Sequence, residues 1–446
     1  MESVVKVQRV KIRNLKNVRN GEITISNSFI NLNRSNVMGI YGQNGSGKTT
    51  VILAFELLKI LISSWKSSNK LPSNDEKMIH IDGECASLEF EFLVSNSFGQ
   101  YFLTYYVELK EGEKYLYPVA EKITYRENIR GKRKKVLIVK ENDDVQIRTI
   151  AMKSLKESAR VRVMVVNELS KRENKSFIFH KELKKTLIDH LTEEEITLLE
   201  NIAIDFNRNL HVINNKKTGL IMTSYIMPLS VHLDTKRGEI AYDLVQPALL
   251  PKNRFITICE VVEQTNSVLS TIIPGLAIKV QKITEQMLDN GDVGVRFEFL
   301  SQRGDRLLPL RTESEGILKI ISVLSALVAV YNKPAACVLI DELDSGVFEY
   351  LLGELLGIIE ENGKGQLFFT SHNLRILEVL PIGNLWFTTA NENNRYLQLK
   401  GMKTITNTRD MYLRAIQVGG QDERIYEETS LFQMKRAFRK AGKPNE

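Results

Sequence analysis

Several features are scarce in this 446-residue chain, and each scarcity closes off a class of protein. Its three cysteines, Cys85, Cys259 and Cys337, lie far apart with no paired spacing. That excludes a disulfide framework or a thiolate metal cluster and predicts reduced thiols in a cytoplasmic protein. No apolar run is long enough to cross a bilayer, and the longest, near residues 320–330, has polar ends, so no membrane partner is expected. No leader is visible: Met1-Glu2-Ser3-Val4-Val5-Lys6 passes directly into a strand-like pattern. Fixed-period repeats and extended heptads are both missing, which excludes a solenoid and a long coiled-coil arm. Neither sign of charge dominates. With 61 Lys and Arg against 54 Asp and Glu, the net charge of +7 permits nucleic-acid contact without requiring it. The densest basic cluster, Arg130, Lys132, Arg133, Lys134 and Lys135, reads as a solvated hairpin tip. Hydrophobic residues at 43% and charged residues at 26% are ordinary for a globular chain of about two or three domain-sized units.

The most informative feature present is the run Gly42-Gln43-Asn44-Gly45-Ser46-Gly47-Lys48-Thr49, a complete G-x-x-x-x-G-K-[ST] phosphate-binding loop, or Walker A motif. Its glycines let successive backbone N–H groups turn inward on the β- and γ-phosphates. Lys48 adds a point charge, and the Thr49 hydroxyl is placed to ligate Mg²⁺. Residues 36–41 are a short apolar run that reads as the strand feeding the loop. Thr49 and Thr50 open a helix whose N-terminus faces the phosphates. The order strand, loop, helix predicts nucleoside triphosphate binding.

A second group of motifs follows nearly three hundred residues later. Residues 337–340, Cys-Val-Leu-Ile, read as a buried strand ending in Asp341 and Glu342, a Walker B pattern. Asp341 would enter the Mg²⁺ shell, and Glu342 would act as general base on the attacking water. Residues 366–373 read as a further strand ending at His372, where a neutral imidazole can hydrogen-bond the γ-phosphate. Thr312-Glu313-Ser314-Glu315-Gly316 precedes a helix over 317–331. That helix start is either an ordinary cap or an anion-binding end.

Together these elements resemble the ATP-binding-cassette (ABC) class of ATPases. They resemble most the branch that includes SMC and RecF proteins and the OLD-like, AAA-family ATPases of bacterial anti-phage and abortive-infection systems. The resemblance implies an ABC-type α/β fold and an ATP and Mg²⁺ site shared between subunits. In that class Ser314, Glu315 and Gly316 match the signature motif, which binds the γ-phosphate of ATP held by a second subunit. Leu343-Asp344-Ser345-Gly346 matches the D-loop, with Asp344 at the dimer seam, and His372 matches the switch histidine. Three features favour the defence branch: the Glu-Ser-Glu-Gly signature, the 314 − 48 = 266 residues separating Lys48 from Ser314, and a closing segment over 409–420. The chain is thus similar to the ATPase subunits of two-gene defence systems such as PARIS and Septu. No Q-loop glutamine stands out; Gln100 lies in an apparent hairpin. No Toprim-like nuclease pattern follows, so a partner is expected to supply any nuclease or toxin chemistry.

The expected organisation is an N-terminal half of the ATPase domain over 1–149, with the loop and an antiparallel meander built from residues 86–92, 101–107 and 136–139. A mainly helical insertion over 150–275 follows, including a capping box at Thr192 and a helix over 253–273. The C-terminal half spans 276–420, and a tail helix occupies 421–446. Its amphipathic stretch 430–443 is expected to pack on its own domain. The expected function is an ATP-hydrolysing sensor or scaffold of a defence complex. It would form a homo-oligomer, at least a head-to-tail dimer, answer a phage-derived trigger and control a separately encoded effector. The alternative is a RecF-like DNA-repair ATPase acting directly on DNA.

Overall fold

The computed structural model describes residues 3–25, 32–65, 70–214, 226–232, 237–399, 407–418, 421–426 and 430–441. Alternating β-branched and polar residues make β1 (Val4–Leu15) and β2 (Val18–Thr24) a hairpin, with one face buried and one wet. The run at 36–41 is β3 (Asn36–Tyr41), and it leads through the phosphate loop into helix α1 (Lys48–Ile62). Next come β4 (Ala86–Asn96), β5 (Gly99–Glu111), β6 (Leu116–Glu127), β7 (Lys135–Glu141), β8 (Asp144–Ile147) and β9 (Ile150–Ala151). Joined to the first hairpin, they form one antiparallel sheet of eight strands in the order β2-β1-β4-β5-β6-β7-β8-β9.

The meander is as expected, except for β6, which the hydrophobic alternation does not announce. Pro118, Glu121 and Lys122 interrupt its pattern, yet Glu121 is buried. Its carboxylate accepts from Tyr105 Oη (2.7 Å), Ser176 Oγ (2.5 Å) and the Phe177 N–H (2.6 Å), and burial pushes its pKa up. Hydrogen bonds from a neighbouring segment make this buried carboxyl tolerable. The basic cluster at 130–135 lies in the β6–β7 turn, where Lys132 pairs with Glu127 at 2.8 Å.

Helices α2 (Glu157–Glu173), α3 (Leu183–Ile188) and α4 (Glu193–Glu200) open the next block, and α4 starts with the expected Thr192–Glu195 capping box. The block then departs from a helical reading. β10 (Leu210–Ile213) pairs in parallel with a strand far along the chain, β11 (Ile226–His232) pairs with β12 (Arg237–Asp243), and β13 (Ala248–Pro251) precedes α5 (Lys252–Ile272). β14 (Leu276–Met287), β15 (Val293–Arg303) and β16 (Arg306–Pro309) make a second antiparallel unit, with β13 also on β15. Four-residue strands such as β10 are too short for periodicity to show, and the partner strand decides them.

Helix α6 (Glu315–Asn332), β17 (Cys337–Ile340), α7 (Glu349–Asn362), β18 (Gln366–Thr370), β19 (Leu385–Thr388), β20 (Tyr396–Leu397), α8 (Thr408–Val418) and α9 (Leu431–Ala441) are the remaining main elements, joined by short helical turns. The second sheet runs β10-β17-β18-β3-β19-β20, parallel except for β20. The fold is therefore α/β with a mixed sheet and an antiparallel meander, as the resemblance implies. Against the expectation that no apolar run is long enough, α6 could by length and composition cross a bilayer, but it is 67% buried inside this fold, between the β14–β15 unit and the mixed sheet.

Helix α1 sits between the two large sheets and aligns them. Phe55 meets Phe90 of the antiparallel sheet at 5.2 Å and Phe368 of the mixed sheet at 5.6 Å. Gln366 adds a polar tie: its side chain accepts from the Val7 N–H (2.7 Å) and donates to the Val7 carbonyl (2.9 Å). The expectation that the C-terminal amphipathic stretch packs on its own domain is not met. α9 forms, but no residue of it is buried. Of the other expected segments, Gly419 and Gly420 and residues 427–429 and 442–446 of the tail lie outside the described residues.

Candidate functional site

Backbone geometry explains the loop's glycines. At Gly42 (φ 152°) a Cβ would lie 1.6 Å from Thr388 Oγ1 on β19, so only glycine fits. Gly47 (φ 98°) is the left-handed N-cap of α1, and no side chain caps that helix. The Thr50 N–H donates to the Gly47 carbonyl at 3.2 Å, and the start of α1 opens on the loop, where a helix N-terminus can receive an anion. Ser46 braces the loop through Thr388 Oγ1 (2.5 Å) and the Gln43 carbonyl (2.6 Å). The buried Lys48 Nζ donates to the Gly42 and Gln43 carbonyls at 2.7 and 2.9 Å. Burial lowers its pKa, while Asp341, Glu342 and Asp344 oppose that shift.

The parallel pairing of β3, β18 and β17 brings the distant motifs to the carboxyl edge of one sheet. Thr49 Oγ1 donates to Asp341 Oδ1 at 3.2 Å, and Thr370 Oγ1 donates to the same oxygen at 2.6 Å. The Glu342 N–H donates to Thr370 Oγ1 at 2.8 Å. Glu342 is held at φ 48°, a left-handed conformation that costs a non-glycine residue energy and is concentrated at functional sites. The His372 N–H donates to Asp344 Oδ2 at 3.0 Å. Partial burial, and then the Lys48 charge, push the His372 imidazole below its ordinary pKa, so it is neutral at pH 7. A cleft of about 1570 Å³ is lined by Asn44, Lys48, Thr49, Glu342, Thr370 and His372, among others. The paired Thr49 hydroxyl and Asp341 carboxylate fit Mg²⁺, which takes few protein oxygens and completes its shell with water and phosphate.

Ser314, Glu315 and Gly316 do not line this cleft. Ser314 and Glu315 are exposed at the start of α6, and Ser314 Oγ accepts from the Ile317 N–H at 3.4 Å as the helix cap. A Cβ on Gly316 would lie 2.1 Å from the Gly346 carbonyl oxygen. The start of α6 is thus seated on the backbone of the 343–346 loop. Thr50 does not face the loop interior either: it is buried and its Oγ1 donates to Asn17 Oδ1 at 3.0 Å, which ties α1 to the β1–β2 turn. Gln100 pairs with Ser95 across the β4–β5 hairpin, outside the cleft lining.

Three contributors escaped the motif reading. Thr370 bridges Asp341 and Glu342, but a threonine at a strand end carries no distinctive signal. Asn17 also donates to the Gly45 carbonyl and is itself held by Arg395 Nη2 through its own carbonyl (2.7 Å). Lys319 is 1% exposed, its Nζ has no hydrogen-bond partner among the described residues, and it feels the charges of Asp341, Glu342 and Asp344. A lysine inside an apolar helix was the available sign. Thr370→Val should lower nucleotide turnover about tenfold and cost ~1–3 kcal/mol of stability, since it leaves a buried carboxylate oxygen and an amide short of a partner. Turnover and thermal unfolding measured together check this, and wild-type values for both would refute the bridge.

Residues 82–378 match the family model described as "AAA domain, putative AbiEii toxin, Type IV TA system". The match takes in Asp341, Glu342 and His372 and starts after the phosphate loop. No curated protein matches the sequence. Similar solved structures include an SMC head bound to the C-winged helix domain of ScpA, at 12% identity and TM-score 0.44, covering 88% of this chain and 97% of that one. The SMC head domain from Thermotoga maritima is 14% identical at TM-score 0.38, covering 89% and 100%. An SMC head with an extended coiled coil, bound to the C-terminal domain of ScpA derived from Pyrococcus furiosus, is 10% identical at TM-score 0.39, covering 89% and 96%.

Proposed function

The chain belongs to the AAA-domain family of putative AbiEii toxins and type IV toxin–antitoxin systems, and from that premise we propose that it is a slow, Mg²⁺-dependent ATPase acting as the sensor or scaffold of an anti-phage defence complex. The observation that carries the chemistry is the Thr49–Asp341 contact, at 3.2 Å, with Glu342 next in the chain and in the same cleft.

Lys48 and the loop N–H groups would hold the β- and γ-phosphates of ATP, and Thr49 and Asp341 would hold Mg²⁺. When bound, the metal neutralises charge across the phosphate oxygens. Glu342 accepts the proton of the attacking water. Neutral His372, held through its backbone N–H by Asp344, donates to the γ-phosphate. Because Ser314 and Glu315 are exposed and Ser314–Gly316 lie outside their own chain's cleft, the start of α6 is available to close the site of a second copy in a head-to-tail dimer. A family description that joins this domain to a toxin system supports a regulatory role. ATP binding sets the assembly state, a phage-derived component triggers it, and a separately encoded nuclease or toxin carries out the response.

The purified chain should hydrolyse ATP at below about 1 per second with Mg²⁺ present, with activity lost in Lys48→Ala. Tagged protein recovered from its native host should bring down a stoichiometric nuclease or toxin-like partner. Turnover strongly stimulated by duplex DNA and weakened by salt, with repair proteins in the recovered complex, would instead assign the RecF-like repair class.

A further inference from the structure

Two helices that the ATP site does not use carry complementary outer faces. On α9, Leu431, Met434 and Phe438 recur at helical spacing and are 70%, 44% and 77% exposed. Lys435 and Arg439 flank that stripe, Arg436 and Lys440 lie round the other side, Phe432 (75% exposed) stands among the basic residues, and the helix contains no Asp or Glu. An 11-residue helix with no buried residue is marginal in water unless something covers it. On α7 the opposite charge is present. Leu352, Gly353, Leu356 and Ile359 are buried, and the outer face shows Phe348, Tyr350 and Ile358 among Glu349, Glu354 and Glu361. The helix has no Lys or Arg. Arg375, whose guanidinium lies 4.8 Å over the Tyr350 ring, is already paired with Glu378.

We propose that α9 of one chain docks on the α7 face of a second copy, with Leu431, Met434 and Phe438 against Tyr350 and Ile358. Lys435 and Arg439, which flank that stripe, then reach the acidic face formed by Glu349, Glu354 and Glu361. The helices match in reach, about 16 Å against about 21 Å at 1.5 Å per residue. Each chain both offers α9 and presents α7, so a two-fold pair makes the contact twice and closes on itself. Nucleotide takes no part in this contact, which makes it distinct from an ATP sandwich. It is nonetheless placed to sense the ATP state, because α7 follows directly from the 343–346 loop whose Asp344 holds the His372 N–H.

The test uses the full chain without nucleotide, so that a shared ATP site contributes nothing. Sedimentation should show concentration-dependent pairing that weakens with salt. Reversing Lys435, Arg436 and Arg439 to Glu should weaken it at least about tenfold, and Leu431→Asp with Phe438→Asp should do the same. These positions are exposed, so the variants should keep the wild-type melting temperature. Mixing the charge-reversed chain with one carrying Glu349→Lys, Glu354→Lys and Glu361→Lys should restore pairing to within about threefold of wild type, a rescue that simple damage cannot produce. A wild-type monomer up to about 100 µM overturns the proposal. So does pairing that ignores both sets of charges. Cross-linking of Phe438→Cys to Ile358→Cys only within single chains, or α9-dependent binding to phosphatidylglycerol vesicles that the α7 reversals leave unchanged, would also overturn it.

Discussion

Glu342→Gln is expected to lower ATP turnover by at least about a hundredfold while leaving nucleotide affinity within about threefold. The amide keeps the shape of the carboxylate and removes only its ability to accept a proton. The backbone that positions it is fixed independently, by the N–H bond to Thr370 at 2.8 Å and by a φ of 48° imposed at the strand end. Lys48, Thr49 and Asp341 are untouched, so ATP and Mg²⁺ should bind and persist. If a second copy's Ser314 and Gly316 close the site, the variant should accumulate as an ATP-bound oligomer. Light scattering should show at least a doubling of mass on adding ATP and Mg²⁺, reversed on washing the nucleotide out. Measuring α9 charge-reversed protein in parallel separates this association from any nucleotide-free pairing. An unchanged mass with and without ATP would sink the shared-site mechanism.

Gly316→Ala should produce the second large effect, through a different cause. The added Cβ would lie 2.1 Å from the Gly346 carbonyl oxygen, a contact between two backbones with no flexible side chain to yield. Either α6 or the 343–346 loop must shift, and core overpacking of this kind costs ~1–3 kcal/mol. Melting should fall by a few degrees. The displaced loop carries Asp344, the acceptor of the His372 N–H, so turnover should fall more steeply than stability. Ser314→Ala is the useful comparison. It removes a helix cap worth ~1 kcal/mol without moving the loop, so it should spare nucleotide binding and weaken only ATP-dependent association. Wild-type melting and turnover in Gly316→Ala would show that the packing is looser than the geometry implies.

Sequence alone determined what depends on neighbours in the chain. The strand at 36–41, the phosphate loop and the helix after it form one local unit, and the strand at 337–340 ends at its two acids where the apolar run stops. The capping box at Thr192 was legible for the same reason: its hydrogen bonds span three residues. What lay beyond reach depends on partners distant in sequence. β6 survives as a strand because hydrogen bonds from Tyr105 and residues 176–177 satisfy its buried Glu121. β10 is a strand because β17 pairs with it. Thr370 became a site residue only when β17 and β18 paired in register beside β3, and Gly316 proved to be a packing glycine only once Gly346 lay against it. For the C-terminal helix, periodicity set the amphipathic face, but an apolar stripe carries no record of what covers it. Its exposure here, opposite in charge to α7, was decided by how the rest of the core filled without it.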